Sequence, residues 1–257
     1  AIGAAANGEV TGGVSLTGGQ IDTLGITTTA VQAETAGGAV TVTGSGAVTI
    51  GGAVTTRGGP DGNTDGGHDG GNVTPEGTTV EVSAIDTLGS DAGGGGANGG
   101  AGGTVSADAT GGSPTITLNG DIGTSGGAGD GAGSPGTSGT VTLSDAVVLA
   151  TDVVVDTTNG GAGNPDGNDI SFLGTVNADG DANAEFLTVN AGTTGPASAG
   201  LLTMDGPIGG AEPLEYLRID GFGTAASNAP VGSELIDVRY QDVYVLADGA
   251  TIRLVTD

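Results

Sequence analysis

Aspartates in a glycine-rich stretch, residues 58–71, are the first side chains of this chain that could do chemistry. Asp61, Asp65 and Asp69 stand four residues apart in the segment GGPDGNTDGGHDGG. A flexible loop could gather these carboxylates as the hard oxygen ligands that Ca²⁺ prefers, although the complete ligand pattern of a calcium loop is missing. Aspartate and glycine are also the ordinary residues of tight, exposed turns. The stretch is therefore a candidate calcium site, and a solvated turn is the competing interpretation.

A second group of polar side chains follows the spacing of the first half of an EF-hand calcium loop. Asn177, Asp179 and Asp181 occupy alternate positions, as the first three ligands of such a loop do. The sixth position of an EF-hand loop is glycine and the twelfth is glutamate, but this chain has Ala182 and Thr188 there. A polar turn is the favoured interpretation, and a calcium ion is the only cofactor that the sequence suggests.

Residues for enzymatic catalysis are scarce. His68 is the only histidine and there is no cysteine, so the chain cannot build a transition-metal site by itself. No serine lies in a G-x-S-x-G elbow. Hydrolysis of polysaccharides by paired acids needs an aromatic-lined groove, and the chain has only six Phe and Tyr residues and no Trp. We therefore expect no enzymatic activity, and we expect His68 to lie on a loop surface.

The charge balance excludes whole classes of partner. The chain has 30 acidic residues, four arginines and no lysine, which gives a net charge of −26. Nucleic acids and anionic membranes both require a basic surface, so neither is an expected partner. No stretch approaches the roughly 20 apolar residues of a membrane-spanning helix, so we expect no membrane span.

A threonine that leads into glycine recurs along the chain and marks a repeat. The differences between successive marker positions are 33, 31, 37 and 33 residues. After four of the five markers comes a glycine-rich run, and after each run a strand-like segment begins again. The stretch at 58–71 is therefore one loop of a series. The markers are Thr23, Thr56, Thr87, Thr124 and Thr157.

Short alternating segments separate the glycine-rich loops. Val, Ile or Leu stands at every second position for four or five residues, and then the chain turns at Gly or Asn-Gly. This pattern predicts strands, and no segment has sustained helical periodicity. A coil of 31–37 residues with three short strands and one loop predicts an all-β fold, a parallel β-solenoid whose loops project on one side. We assign residues 1–222 to the coils and residues 223–257 to an irregular C-terminal β segment, either a cap or a subunit-pairing surface.

Thr-x-Thr pairs could form an ice-binding face if they stacked in a flat array. The pairs begin at Thr41, Thr115 and Thr140, at different distances from the nearest marker threonine. They should therefore not align along the solenoid. The β-propensity of threonine is the simpler explanation for these pairs.

The segment from 152 to 195, together with PIGGAEPLEYLRIDG at 207–221, resembles the secreted repeat proteins of the filamentous haemagglutinin type. Segments in the style of DISFLGTV, LTVNAG and PLEYLRIDG recur in tandem in these exported bacterial exoproteins and adhesins, and the resemblance covers roughly residues 40–222. It implies a right-handed parallel β-helix outside the cell or at its surface, with an adhesive or structural role.

Two functions fit these observations. The first is a non-enzymatic extracellular structural protein that assembles end to end with copies of itself into a fibre, sheath or surface layer. Exposed solenoid edges can template such pairing, and we expect the tyrosine-bearing tail to contribute to the joint. The alternative is a segment of a large secreted adhesin, whose Gly/Asp-rich loops face a ligand on a cell surface or matrix. The predicted self-assembly residues are Tyr240, Val243, Tyr244 and Val245.

Overall fold

The structure, a computed structural model, describes eight separate stretches of the chain. They are residues 2–3, 12–30, 35–60, 66–158, 167–181, 185–192, 200–220 and 240–245. All regular secondary structure in these stretches is β-strand. The strands in chain order are β1 (Ile2–Gly3), β2 (Val14–Gly18), β3 (Ile21–Thr23), β4 (Ile26–Thr27), β5 (Val40–Gly44), β6 (Val48–Ile50), β7 (Val54–Thr55), β8 (Val73–Gly77), β9 (Val80–Val82), β10 (Ile85–Asp86), β11 (Val105–Ala109), β12 (Thr115–Leu118), β13 (Ile122–Gly123), β14 (Val141–Leu143), β15 (Ala146–Leu149), β16 (Val153–Asp156), β17 (Ile170–Phe172), β18 (Val176–Ala178), β19 (Phe186–Asn190), β20 (Leu202–Met204), β21 (Leu214–Asp220) and β22 (Tyr240–Val245).

The strands form three parallel sheets that share the axis of a β-solenoid. Sheet A has nine strands, in the order β1-β4-β7-β10-β13-β16-β19-β21-β22. Sheet B has seven, β2-β5-β8-β11-β14-β17-β20, and sheet C has six, β3-β6-β9-β12-β15-β18. A regular coil therefore takes one strand from sheet B, one from C and one from A, and then leaves into a glycine-rich loop. This arrangement confirms the predicted all-β solenoid with three short strands and one loop per coil.

Val, Ile and Leu at alternate positions of the strands are buried because every second side chain points into the solenoid. In sheet B the inward position is filled by the same class of residue in each coil, and these residues stack in register along the axis. One coil cannot cover its own inward side chains, so the stacked neighbour supplies the other side of the core. The inward row of sheet B is Val14, Val40, Val73, Val105, Val141, Ile170 and Leu202.

Four of the five marker threonines occupy one corner, at the end of sheet A. Thr56, Thr87, Thr124 and Thr157 are fully buried there. Thr23 was wrongly included, because it ends strand β3 of sheet C, and Thr28 takes the corner in that coil. The physical reason is that the same letters, IDTLG, begin with a sheet C strand at 21–25 and with a sheet A strand at 85–89. The pentapeptide alone therefore does not show which corner its threonine occupies. The threonines at the end of sheet A are distinguished by their buried hydroxyl groups.

Each corner threonine forms two hydrogen bonds with the residue at which its glycine loop returns to the solenoid. The Thr124 hydroxyl donates to the Gly139 carbonyl oxygen at 2.8 Å, and the Gly139 N–H donates back to the Thr124 carbonyl oxygen at 2.7 Å. Thr87 and Gly103 form the same pair, at 2.7 and 2.8 Å. The hydroxyl satisfies a carbonyl group that would otherwise be buried without a donor, which explains threonine at this position.

Replacing Thr124 by valine should lower the free energy of unfolding by about 1 to 3 kcal/mol, because the Gly139 carbonyl then loses its hydroxyl donor while valine keeps the shape. Urea unfolding followed by circular dichroism measures the change. The matched control is Thr142→Val in strand β14, whose side chain lies on the outer face and is only partly buried. Equal stability losses in the two variants would contradict the stabilising role of the hydrogen bond from the Thr124 hydroxyl to Gly139.

Farther from the corner threonines, neighbouring glycine loops are joined by backbone hydrogen bonds into an array. Between neighbouring loops, Gly67 donates to the Asn98 carbonyl at 2.7 Å and Gly70 donates to the Ala101 carbonyl at 2.8 Å, three residues farther on. Gly99 and Gly102 repeat this spacing toward Ser134 and Thr137 of the following loop. A three-residue period is that of the polyproline II helix, which has no hydrogen bonds of its own and can bond to its neighbours.

The two arms of one loop also bond to each other. Gly100 donates to the Ser90 carbonyl at 2.9 Å and Gly103 to the Thr87 carbonyl at 2.8 Å, so the arms run antiparallel with the same three-residue period. A Cβ on Gly100 or Gly103 would overlap the carbonyl oxygen of His68 or Gly71 in the preceding loop. Glycine therefore recurs there for the same steric reason that it recurs at the axis of collagen.

A continuous row of hydroxyl groups lines the outer face of sheet B. Its members stack in register, about 4.8 Å apart. Thr41 and Thr142 belong to this row, whereas Thr115 lies on sheet C, so the Thr-x-Thr pairs do not form one array, as expected. The row itself was not anticipated. It consists of Ser15, Thr41, Thr74, Ser106, Thr142, Ser171 and Thr203.

Candidate functional site

Three carboxylates meet beside the end of strand β18. Asp179, Asp181 and Glu185 each bring one oxygen into a group in which all three atoms lie within 4.8 Å of one another. The turn is held by Asp181 N–H, which donates to the Asp179 carboxylate at 2.8 Å, and by Asp179 N–H, which donates to Glu185 at 3.3 Å. Gly180 sits between the aspartates with φ of +82°, a conformation that favours glycine.

The electrostatics of this group centre on Glu185, whose side chain is only 5% exposed. Burial raises the pKa of the Glu185 carboxyl, and the nearby charges of Asp179 and Asp181 raise it further. The N–H of Asp179 acts in the opposite direction by donating to the carboxylate. Glu212 adds a fourth acid, because a Cβ on Gly180 would lie 3.2 Å from its carboxyl carbon. A divalent cation would relieve this concentration of negative charge.

The group overlaps the predicted calcium residues only in part. Asp179 and Asp181 come together as expected, but the Asn177 side chain donates to Thr175 Oγ1 and accepts from the Ala211 N–H at 3.0 Å. Glu185 was missed, because the ligand positions were counted from Asn177. The spacing D-x-D-x-x-x-E, read from Asp179, would have included it. With one oxygen from each residue, the three carboxylates supply three of the six to eight oxygens that calcium takes.

The candidate calcium loop at 58–71 has a different outcome. Asp61 and Asp65 lie outside the described residues. The Asp69 carboxylate accepts the backbone N–H of Ala101 in the next loop at 2.7 Å. Asp91 does the same for Ala128 at 2.7 Å. Asp69 is therefore bonded into the glycine array, and this contact gives its carboxylate a structural role.

Many acidic residues form the same axial contact between coils. Asp121 accepts the N–H of Val154 at 2.8 Å, and Asp169 accepts the N–H of Leu201 at 2.8 Å. In each case a short acidic side chain reaches along the solenoid axis to a backbone donor of the neighbouring coil. Asp-rich composition is thus partly explained by backbone satisfaction, in addition to solubility.

His68 is enclosed to a greater degree than a surface loop residue. Its backbone N–H donates to the Ser90 hydroxyl at 2.8 Å, and its carbonyl accepts from the Ser90 N–H at 2.9 Å. The ring is half-buried, and its Nε2 atom is buried without a hydrogen-bond partner among the described residues. The expectation that His68 lies on the loop surface was wrong for this nitrogen, which is buried.

The predicted self-assembly residues fall on strand β22. The backbone register pairs Tyr240 with Leu214, and Tyr244 with Arg218, so β22 extends sheet A in parallel beyond β21. Val243 and Val245 continue the same register. The side chains of these four residues lie outside the described part of the chain, and their role in assembly stays a prediction. The division at residue 222 also stays a prediction.

On the first coil that the structure describes in all three sheets, several inward apolar side chains are only partly buried, beside residues 4–11 that lie outside the described part of the chain. Val14, Leu16 and Ile21 point inward but are only partly buried, whereas the corresponding residues of the next coil are fully buried. Leu24 is 76% exposed. Leu16, Ile21 and Leu24 line an open recess of about 760 Å³ over strands β2 and β3. The recess is lined by Ser15, Leu16, Thr17, Gly18, Gln20, Ile21, Asp22, Thr23 and Leu24.

Replacing Glu185 by glutamine should stabilise the fold increasingly as pH rises. The raised pKa means that the folded state disfavours the ionised side chain, so its contribution is complete below the ordinary value of about 4.3 and is lost as pH rises through the folded value. Unfolding in urea from about pH 4 to about pH 8 measures the difference between variant and wild type. Exposed Glu215→Gln is the control and should follow the wild type.

Calcium adds a second readout to the same pair of proteins. If the three carboxylates bind the ion, millimolar calcium should raise the melting temperature of the wild type at neutral pH and leave the Glu185→Gln variant nearly unchanged. A constant difference between variant and wild type at all pH values would contradict the electrostatic account of Glu185.

The comparisons with known proteins returned nothing: no family model, curated protein or solved structure matches this chain. The fold itself is compatible with β-helical repeat proteins in general. Among the described residues, no helix is long and apolar enough to cross a membrane.

Proposed function

We propose that this chain is a non-enzymatic extracellular structural protein that assembles end to end into a fibre, sheath or surface layer. The observation that carries the proposal is the N-terminal coil, where Val14, Leu16 and Ile21 face the core and remain partly exposed. A second subunit stacked on this end would bury them. An open parallel edge also presents backbone groups that pair readily with another chain.

The rest of the molecule supports a structural role. The glycine loops bond to each other through their backbones, and the acids that contact neighbouring coils do so as hydrogen-bond acceptors. Because these polar groups are hydrogen-bonded within the solenoid, they suit a repeated structural unit more than a reactive surface. The resemblance to filamentous-haemagglutinin-type repeat proteins, with their adhesive or structural roles outside the cell, agrees with this function and with a location outside the cell.

An adhesin segment that presents its loops to a ligand is the second candidate. It has less support, because glycine-rich loops offer few Tyr, Trp or Arg side chains, which usually anchor specific interfaces. The loop arms are also fixed to their neighbours through main-chain hydrogen bonds. Isolated rods that do not associate at any concentration would favour this candidate.

Negative-stain electron microscopy of the purified chain tests the proposal, with and without calcium. We expect elongated assemblies, and we expect Leu24→Asp to shorten or abolish them by placing a charge beside the partly exposed apolar side chains of this coil. Val154→Asp is the matched control, since Val154 is 38% exposed on strand β16, which has neighbouring strands on both sides in sheet A. Tyr240→Ser with Tyr244→Ser tests the tail as a further joint. Single rods for the wild type at every concentration would overturn the proposal.

A further inference from the structure

Strand β8 carries a proline in the middle of sheet B, between strands β5 and β11. Proline has no N–H to donate to a ladder, so it is rare in a strand that has neighbours on both sides. On the β5 side the register continues through Pro75. On the β11 side it includes Val105, Asp108 and Ala109 but not the two residues between Val105 and Asp108. The backbone pairing between β8 and β11 is therefore interrupted.

The missing hydrogen bond can be assigned to one carbonyl group. Val73 N–H donates to the Thr104 carbonyl oxygen at 2.8 Å, and the next donor toward the same neighbour in a parallel ladder stands two residues farther on. That position is Pro75. The Ser106 carbonyl oxygen therefore receives no ladder hydrogen bond from β8.

Acidic side chains are stacked across the same pair of strands. Glu76 of β8 and Asp108 of β11 are direct partners in the register, and both are partly buried. Like charges directly opposite each other destabilise a pair of strands. In the preceding coil this position is occupied by Thr43, which is uncharged. The repulsion between acids therefore begins where the backbone ladder is interrupted.

A third carboxyl group approaches Asp108 from the following coil. The Asp145 carboxylate accepts the Ala109 N–H at 2.8 Å, which places it beside the end of β11. The side chains of Asp108 and Asp145 also form a hydrogen bond, which requires a proton on one of the two carboxyls. Burial raises the pKa of the Asp108 carboxyl, this hydrogen bond raises it further, and the charges of Asp145 and Glu76 act in the same direction.

The other charged groups near β11 do not offset this repulsion. Within the described stretches, Arg57 follows β7 and pairs with Asp86, and Arg218 lies in β21, so both arginines belong to sheet A. Strands β8, β9, β12 and β14 pack against β11. Among β9, β12 and β14 the one acid is Glu81, which lies on the outer face of sheet C and accepts from the Asn119 side chain at 2.9 Å.

We propose that the contact between β8 and β11 is a proton-controlled opening point in sheet B, closed when Asp108 and Asp145 share a proton and loosened when both are ionised. The strand pairs β10–β13 in sheet A and β9–β12 in sheet C hold the two coils together while sheet B opens. Opening exposes backbone groups of β8 and β11 that pair readily with another strand. Acid therefore closes sheet B, and higher pH exposes two strand edges. This control is a property of the single chain and does not depend on fibre formation.

Native-state hydrogen exchange, measured for individual amides and corrected for the intrinsic exchange rate at each pH, tests the proposal. The reporter is the Thr110 amide, which donates to the Gly77 carbonyl of β8 at 2.7 Å. The reference is the Val40 amide, which donates to the Asn72 carbonyl in the preceding pair of coils at 2.7 Å. The stabilisation from Asp108 is complete below its ordinary pKa of about 3.9 and is lost as pH rises through the raised folded value. We therefore expect the protection of Thr110 relative to Val40 to fall between about pH 4 and about pH 7.

Two variants separate the contributions of the acids and of the proline. Asp108→Asn keeps a donor toward Asp145 at every pH, so it should raise the protection of Thr110 at neutral pH by about threefold to tenfold and remove its pH dependence. Pro75→Ala supplies the missing N–H, so it should raise this protection at every pH and keep the pH dependence. Glu81→Gln removes the same charge from the outer face of sheet C and is the matched control, for which we expect no change at Thr110.

A relative protection of Thr110 that is constant with pH, or that falls toward acid, would overturn the proposal. Equal gains in Asp108→Asn and Glu81→Gln would also overturn it, because net charge would then control the opening in place of the carboxyl pair. An unchanged protection in Pro75→Ala would overturn the part assigned to the interrupted ladder.

Discussion

Replacing Gly102 by alanine should lower the free energy of unfolding by about 3 kcal/mol, at the upper end of the usual cost of overpacking. An added Cβ would overlap the carbonyl oxygen of Thr124 and lie 2.7 Å from that of Ser125. Both atoms belong to the backbone of the adjacent loop arm, so neither can rotate away. Movement of the arm would also lengthen the hydrogen bond from Gly102 to Thr137, which measures 2.8 Å.

The matched control for this variant is Gly123→Ala in strand β13. A Cβ at Gly123 meets no heavy atom within 4 Å, and alanine should stabilise the fold by about 0.4 to 1 kcal/mol because it restricts the unfolded chain. Both free energies come from urea unfolding. Equal losses of stability in the two variants would contradict the tight backbone packing of the array around Gly102.

The other large effect is expected in the core, where Phe172→Ala should cost about 3 to 5 kcal/mol. Phe172 is fully buried and is stacked in register between Leu143 and Met204. Removal of its ring leaves a cavity that the stacked side chains above and below cannot fill without shifting whole coils. Thermal and urea unfolding both measure the loss.

Phe186→Ala provides the comparison on the same coil. Phe186 lies on the outer face of sheet A, is 38% exposed, and contacts Tyr216 edge to face with ring centroids 5.6 Å apart. Loss of the ring there opens no internal cavity, so we expect a cost of about 1 kcal/mol. If both variants lost the same stability, Phe172 would not be the central packing residue that its burial indicates.

Alternation and spacing were enough to predict the architecture, because both follow from local geometry. Side chains of period two predict strands, and the corner threonines predict the coil length, since four of them do occupy equivalent positions. Thr23 was misassigned because a short segment identifies a turn but not the sheet that precedes it. In a three-sided solenoid each coil has three corners, and the sequence alone does not label them.

The sequence pattern did not predict the individual contacts between coils. The hydrogen bond that the Ala101 N–H donates to the Asp69 carboxylate joins residues 32 positions apart, and it depends on the stacking of neighbouring loops. Glu185 was missed for a related reason: an EF-hand template counts along one loop, whereas burial next to β19 decides which carboxylate is part of the group. The glycine loops were predicted to project on one side of the solenoid, but the hydrogen bonds that join their described parts into an array were not predicted.

The glycine array also affects how stability depends on temperature. When it unfolds, it exposes peptide groups to water and comparatively little hydrocarbon. Hydration of polar surface lowers the heat capacity of unfolding, whereas apolar surface raises it, and an ordinary domain reaches about 12 to 15 cal/mol/K per residue. With 57 glycines in 257 residues, this chain should lie below that range. Its stability curve is then unusually flat, and the fold persists farther into the cold than a hydrocarbon-cored domain of equal stability.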